Sequence, residues 1–175
     1  LTVTYTSGKT EEIRTDKTWK AIKGPSIYNH MRQGEMIDAS LRQPGYNIPG
    51  YDDSHWENAV MAHEPGGLLE TTDMPPIRVL KTLQPVSCKD NIYDFGLNIS
   101  GWAKVTATGE KGQKIRLIYD EQLNPDGSFR ADEDRNPAMF AYQEKQLLPQ
   151  EDIFILSGAE KEEFCVTFTY HGFRY

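Results

Sequence analysis

The stretch KVTATGEKGQKIRLIY, residues 104–119, decides the fold class. Val105 and Ala107 alternate with Lys104, Thr106 and Thr108. After Gly109-Glu110-Lys111-Gly112, the residues Ile115, Leu117 and Tyr119 resume the alternation. A period of two sends successive side chains to opposite faces of a strand, so each arm carries one apolar and one polar face. Two such arms around a glycine-bounded turn predict a β-hairpin. The same pattern recurs on either side. Val3, Tyr5 and Ile13 around the Ser7-Gly8-Lys9 turn predict a second hairpin. Ile77, Val79 and Leu83 predict a strand, with Pro75-Pro76 stopping any helix before it. Phe164, Val166, Phe168 and Tyr170 predict a final strand. No segment sustains a 3.6-residue apolar stripe, and residues 53–61 and 138–148 predict short helices at most. With 14 Gly and 10 Pro between short strands, the chain reads as all-β, a β-sandwich or jelly roll.

The pattern breaks at MAHEPGGLLETTDMPP, residues 61–76, where Pro-Gly-Gly and Pro-Pro interrupt it. This places residues 1–69 in one partial β-rich module and residues 70–175 in a second, nearly complete one. Residues 124–150 form a long, charged connection. The chain opens on the strand-like LTVTYT without Met and stops on the aromatic run FTYHGFRY, so both ends read as cuts within a larger protein.

Composition excludes several classes. Asp and Glu number 26 against 19 Lys and Arg, a net charge of −7, and no basic run is interleaved with aromatics, which argues against nucleic acid. The apolar runs fall far short of the ~20 residues of a membrane-spanning helix. Cys88 and Cys165 lie far apart in strand-like surroundings and are expected as two buried free thiols rather than a disulfide.

Candidate chemistry is sparse. Glycoside hydrolysis needs two carboxylates roughly 5 to 9.5 Å apart. The acids Glu35 and Asp38, Asp52 and Asp53, Asp120 and Glu121, and Asp132 to Asp134 all read as solvated turn and edge residues. Asp132, Asp134 and Asn136 have the spacing of a calcium loop, but Pro137 stands where such a loop turns on Gly and Gln143 where it ends on Glu. A looser calcium site is the only cofactor left open. His30, His55, His63 and His171 show no metal-ligand spacing, and His171 is expected to be a hydrogen-bonded structural residue. No catalytic residue is assigned. Trp19, Trp56 and Trp102, with Tyr28, Tyr46 and Tyr51, lie beside turns rich in Gly, Pro, Asp and Asn, where a flat ring and nearby polar groups suit a sugar face. The three tryptophans are the candidate carbohydrate-binding residues; the competing reading makes each a core plug.

Six segments, in order, carry a family resemblance: TDKTWKAIKGPSIYNHMRQGEMIDAS (15–40), PGYDDSHWENA (49–59), PPIRVLKTLQPVS (75–87), YDFGLNISGW (93–102), YDEQLNPDGSF (119–129) and FTYHGFRY (168–175). Together they resemble the N-terminal, non-catalytic part of bacterial α-L-rhamnosidases of glycoside hydrolase family 78. The resemblance implies the later part of a carbohydrate-binding-module-like domain, then a jelly-roll domain. It also implies a catalytic (α/α)6 barrel in the same polypeptide, carrying the acid and base that remove terminal α-L-rhamnose with inversion. It further implies rhamnose-containing glycans as ligands and a periplasmic or secreted setting, with the cytoplasm as the alternative. Ser40 departs from the family, which has Arg after Gly-Glu-x-x-Asp-Ala, and residues 121–164 lack its Asn-Leu-Arg and Trp-x-Pro elements.

Three functions compete on these grounds: an accessory region that supports the barrel, an autonomous sugar-binding module, and an interaction sandwich with no sugar role. Support of the barrel predicts buried tryptophans and an exposed apolar face. Sugar binding predicts an exposed ring with convergent Asn, Asp or Glu.

Overall fold

The structure is a computed structural model that describes residues 1–31, 33–63, 66–68, 70–129 and 150–175. Its strands are β1 (Thr2–Thr4), β2 (Thr10–Glu12), β3 (Lys20–Ala21), β4 (Ser26–His30), β5 (Gly34–Asp38), β6 (Glu57–Asn58), β7 (Ser87–Lys89), β8 (Ile92–Asp94), β9 (Ile99–Gly101), β10 (Lys104–Ala107), β11 (Lys114–Ile118), β12 (Glu151–Ile155), β13 (Glu162–Cys165) and β14 (His171–Phe173). One short 3-10 turn, Ala39–Leu41, follows β5, and Asp38 caps it by accepting from the Ser40 amide at 2.9 Å. The chain is all-β, as the alternation predicts.

Two compact units form. Leu1–Lys23 and Gln43–Pro75 make one; Gly24–Arg42 and Pro76–Tyr175 make the other. In the first unit, β1 and β2 pair antiparallel as the predicted hairpin, and β3 pairs β6. Residues 53–61 are not helical. Trp56 N donates to Asp53 O (2.9 Å), closing a single turn, and Glu57 and Asn58 then pair with Ala21 and Lys20. Ladder pairing takes the backbone groups that a helix would have used.

In the second unit a four-stranded sheet runs β11-β12-β5-β4. β5 lies parallel to β12, with Phe154 opposite Ile37, while the other two pairings are antiparallel. Ile37, Ala39, Phe154, Leu156, Phe164 and Val166 form the buried core, backed by Trp102, Val105, Ala107, Ile115 and Leu117. Phe154 of the four-stranded sheet meets Phe164 of the β10–β13 pair, ring centroids 4.7 Å apart, so the two layers share one interior. The inward residues of β10 and β11 are those the alternation predicts.

Their pairing is not. The Gly109–Gly112 turn closes, with Gln113 N donating to Glu110 O at 3.1 Å, but β10 pairs β13 and β11 pairs β12. The arms enter different sheets, each pairing along its full length with a strand from residues 151–165. Ile77, Val79 and Leu83 pair with no strand among the described residues, and Ile77 and Val79 are exposed. The final alternation is also divided. Phe164 and Val166 are buried, Phe168 and Tyr170 are exposed, and inward burial resumes in the other phase at Thr169, His171 and Phe173.

The β7–β8 hairpin turns on Asp90 and Asn91, both at positive φ (51° and 62°), as a two-residue turn between twisted strands requires. Both cysteines are free, as expected, but exposed rather than buried: Cys88 lies on β7 and Cys165 on the outward side of β13. Among the described residues no helix is long and apolar enough to cross a membrane.

Candidate functional site

The second unit carries a surface concavity of about 230 Å³, lined by Met31, Ile77, Trp102 and residues 166–170. Its wall is residues 166–170, which β5 anchors from behind. Gly34 sits at φ +126°, where a Cβ would lie 1.8 Å from the Glu151 carbonyl oxygen, so only glycine lets β5 approach β12 here. Glu35 follows and is 1% exposed. Its Oε2 accepts from the Thr167 amide (2.6 Å) and the Phe168 amide (3.2 Å). Val166 on one side lies in the core, and Thr169 Oγ1 on the other donates to Met31 O at 3.0 Å. With the segment fixed at three points, Phe168 and Tyr170 are left outside, 61% and 42% exposed.

Behind this wall is a buried polar network. Asp152, fully buried, accepts three hydrogen bonds: from Glu35 N (2.9 Å) and Tyr119 OH (2.7 Å), and from His171 Nε2 (3.1 Å). His171 stacks on Tyr119 at 4.3 Å and is the structural histidine predicted. Burial first, then the Asp152 charge, holds the Tyr119 phenol well above its ordinary range, so it serves as a donor. Burial also pushes the Glu162 carboxyl up. The Ser157 amide and hydroxyl and the Gly158 amide outweigh that effect, and it ends below the usual carboxylate value.

Glu35 therefore departs from the solvated reading, whereas Asp52 and Asp53 are exposed, Asp52 accepting from the Ser54 amide. The signal missed was burial of acids inside apolar strands: Glu35 precedes Met36-Ile37, and Asp152 precedes Ile153-Phe154-Ile155. Asp152 and Glu35 are withdrawn from solvent, Asp152 bonded through both oxygens and Glu35 through Oε2 while its Oε1 is buried without a partner, so neither is placed to protonate or activate a substrate. Among the described residues no three His, Cys, Asp or Glu cluster to hold a metal. Asp132, Asp134 and Asn136 lie outside the described residues.

The three tryptophans are not assembled together. Trp102 belongs to the second unit, half-buried against the core and lining the concavity. Trp19 and Trp56 belong to the first unit. Trp19 is 47% exposed, its Nε1 donating to Arg14 O at 3.1 Å. Trp56 is half-buried, edge-on to Tyr51 at 5.8 Å, and its Nε1 is buried without a hydrogen-bond partner.

Two family models divide this chain between them. Residues 1–81 match the "Alpha-L-rhamnosidase N-terminal domain", and residues 85–175 match the "Bacterial alpha-L-rhamnosidase concanavalin-like domain". The chain belongs to the α-L-rhamnosidase family. Two α-L-rhamnosidases, from Alteromonas sp. (strain LOR) and Streptomyces avermitilis, are 31% and 30% identical over the whole chain. The chain spans 18% and 16% of their lengths. The solved α-L-rhamnosidase of Dictyoglumus thermophilum superposes with a TM-score of 0.84 at 36% identity, covering 99% of this chain and 19% of that one. That of Streptomyces avermitilis, complexed with L-rhamnose, gives 0.78 at 27%, again over 99% of this chain and 16% of that one.

The rhamnosidase motifs now have physical roles. In YDFGLNISGW, Asp94 takes a two-pronged ion pair from Arg174 of FTYHGFRY, both contacts 2.8 Å, and also accepts from Gly96 N at 2.7 Å. These hydrogen bonds, the guanidinium first, lower the Asp94 carboxyl to about 2. Phe95 packs edge-on to Phe173 at 5.6 Å. The two motifs form one clasp, consistent with the structural role their alternation suggests. Ser40, the departure after Gly-Glu-x-x-Asp-Ala, donates its hydroxyl to Asp38 (2.6 Å). Arg42, two residues on, reaches Glu163 O at 2.8 Å.

Proposed function

We propose that this chain is the accessory region of an α-L-rhamnosidase, in which it supports a catalytic barrel of the same polypeptide that removes terminal α-L-rhamnose. The observation that carries this reading is the concavity around Trp102. Met31, Ile77, Phe168 and Tyr170 present exposed apolar surface there, held outward by a rigid wall. The lining holds two threonines and no carboxylate, amide or imidazole, and its volume lies below the roughly 300 Å³ at which small-molecule sites begin. A surface of that chemistry suits protein packing better than sugar hydroxyls. The wide span of the relatives beyond the matched part is consistent with a neighbouring domain to pack against.

A second reading keeps sugar binding in the first unit, favoured by the exposed face of Trp19. One sample separates the two. An NMR titration of the chain with L-rhamnose, with and without calcium, is run beside a rhamnosidase assay. The accessory reading expects no turnover and no shifts at Trp102 or Phe168. Saturable shifts at Trp19 or Trp56 would install the binding reading, and turnover by the chain alone would overturn both.

A further inference from the structure

The unit that contains the concanavalin-like match is not continuous in sequence. Its sheet is completed by Gly24–Arg42, which enters from and returns to the other compact unit. We propose that this hairpin is a guest: the body formed by residues 76–175 has a strand-accepting groove that grips it by non-covalent contacts alone, with Glu35 as the positioning residue.

The contacts fall in three groups. Along the backbone, β5 adds in parallel to the edge of β12, and Glu151 N donates to Gln33 O at 2.8 Å where the hairpin turns. In the interior, Ile37 and Ala39 enter the core against Phe154 and Phe164. At the rim, polar side chains reach both ways. Glu35 Oε2 takes the Thr167 and Phe168 amides, Asp152 Oδ1 takes the Glu35 amide, and Thr169 Oγ1 donates to Met31 O. Arg42 donates to Glu163 O and lies 5.1 Å from the Phe164 ring centroid. Among the described residues, the ladder partner of β4 is β5.

This is how an added strand is recognised: main-chain bonds give affinity and alternate side-chain slots give specificity. The slots define the partner. It is an extended peptide with glycine where a Cβ would strike the Glu151 carbonyl, an acid next, an apolar residue at position 37 and alanine at 39. Residues 85–175 lack that strand, so the matched concanavalin-like segment does not contain its whole sheet.

The test uses the full chain with specific protease sequences inserted after Lys23 and after Arg42, cut under native conditions. The expected result is that the 24–42 peptide co-elutes with the body and leaves only in denaturant. A labelled synthetic 24–42 peptide should then exchange in. Its Glu35→Ala and Gly34→Ala forms should bind at least about tenfold more weakly, because a charge-assisted hydrogen-bond pair or the close approach is lost. Glu35→Gln, which keeps an acceptor, should stay within about threefold. Release of the hairpin on cutting overturns the proposal, whether the body stays folded or not, as does equal binding by the Glu35→Ala and Gly34→Ala peptides. Should the insertions prevent folding, Glu35→Ala in the otherwise unmodified chain serves instead. Hydrogen exchange of the Thr167 and Phe168 amides and of the β5–β12 ladder should rise at least about tenfold, with β10–β13 unchanged. Unchanged exchange at those amides overturns it.

Discussion

The two compact units share their alternation and their taste for aromatics, yet among the described residues only one has a buried interior. Every residue of the described chain that is buried lies in Gly24–Arg42 or Pro76–Tyr175. In the other unit Trp19 is exposed, Trp56 is half-buried, and Val60 and Met61 are 88% and 70% exposed. Its strands are two or three residues long and close on near neighbours or on one another, whereas β5 meets β12 more than a hundred residues away in sequence. Period two alone does not build a core. Burial requires a second layer, and the second layer comes from strands far apart in the chain.

The largest effect is expected where the core is densest. Phe154→Ala should remove about 3–5 kcal/mol from the unit that holds the core. In urea denaturation this appears as an early transition of the signals from β11, β12 and β5, while β1–β2 amide signals keep their midpoint. Simultaneous loss of both sets would show that the units are not energetically separate. Asp152→Ala comes next, at about 3 kcal/mol, since it strands a buried amide, phenol and imidazole. A change under 1 kcal/mol, read from the same curves, would mean that water replaces the carboxylate without cost.

Smaller, and dependent on pH, is the Asp94–Arg174 clasp. Its carboxyl titrates at about 2 in the folded chain against 3.8 ordinarily, so it is depressed. Stability from this pair is therefore complete above about pH 4 and disappears as pH falls through 2. Asp94→Asn should flatten that part of the acid limb in circular dichroism; an identical limb would show the pair to be neutral. The smallest effect belongs to the unit without a core. Lys20→Ala removes a 3.2 Å hydrogen bond to the Asp53 carbonyl and a 3.9 Å contact to its carboxylate, and should change stability by less than about 1 kcal/mol. A loss above 2 kcal/mol in thermal melts would mean that the exposed unit depends on charge in a way its geometry does not suggest.

Much of the site was legible only as motif. Gly34-Glu35-Met36-Ile37-Asp38-Ala39 is recognisable as a string, but nothing in it says that Glu35 is buried. That follows from the Thr167 and Phe168 amides arriving from 132 and 133 residues away. Trp102, by contrast, packs on the core with one side and lines the surface concavity with the other. The Asp90-Asn91 turn was within reach of the sequence, because those residues tolerate positive φ and two strand-like runs flank them.

What the sequence determined by itself is local: the all-β class, the inward face of β10 and β11, the β1–β2 hairpin and the family to which the chain belongs. Each rests on side-chain periodicity, on turn chemistry within a few residues or on ordered motifs. Partnership between strands came from the tertiary fold. It sent the two arms of residues 104–119 into different sheets, brought Gly24–Arg42 beside β12 and turned an acid that reads as solvated into a buried grip. The physical reason is that alternation fixes which face of a strand is apolar but not which strand lies beside it; that choice is made by non-local packing and by the buried polar groups that must find donors.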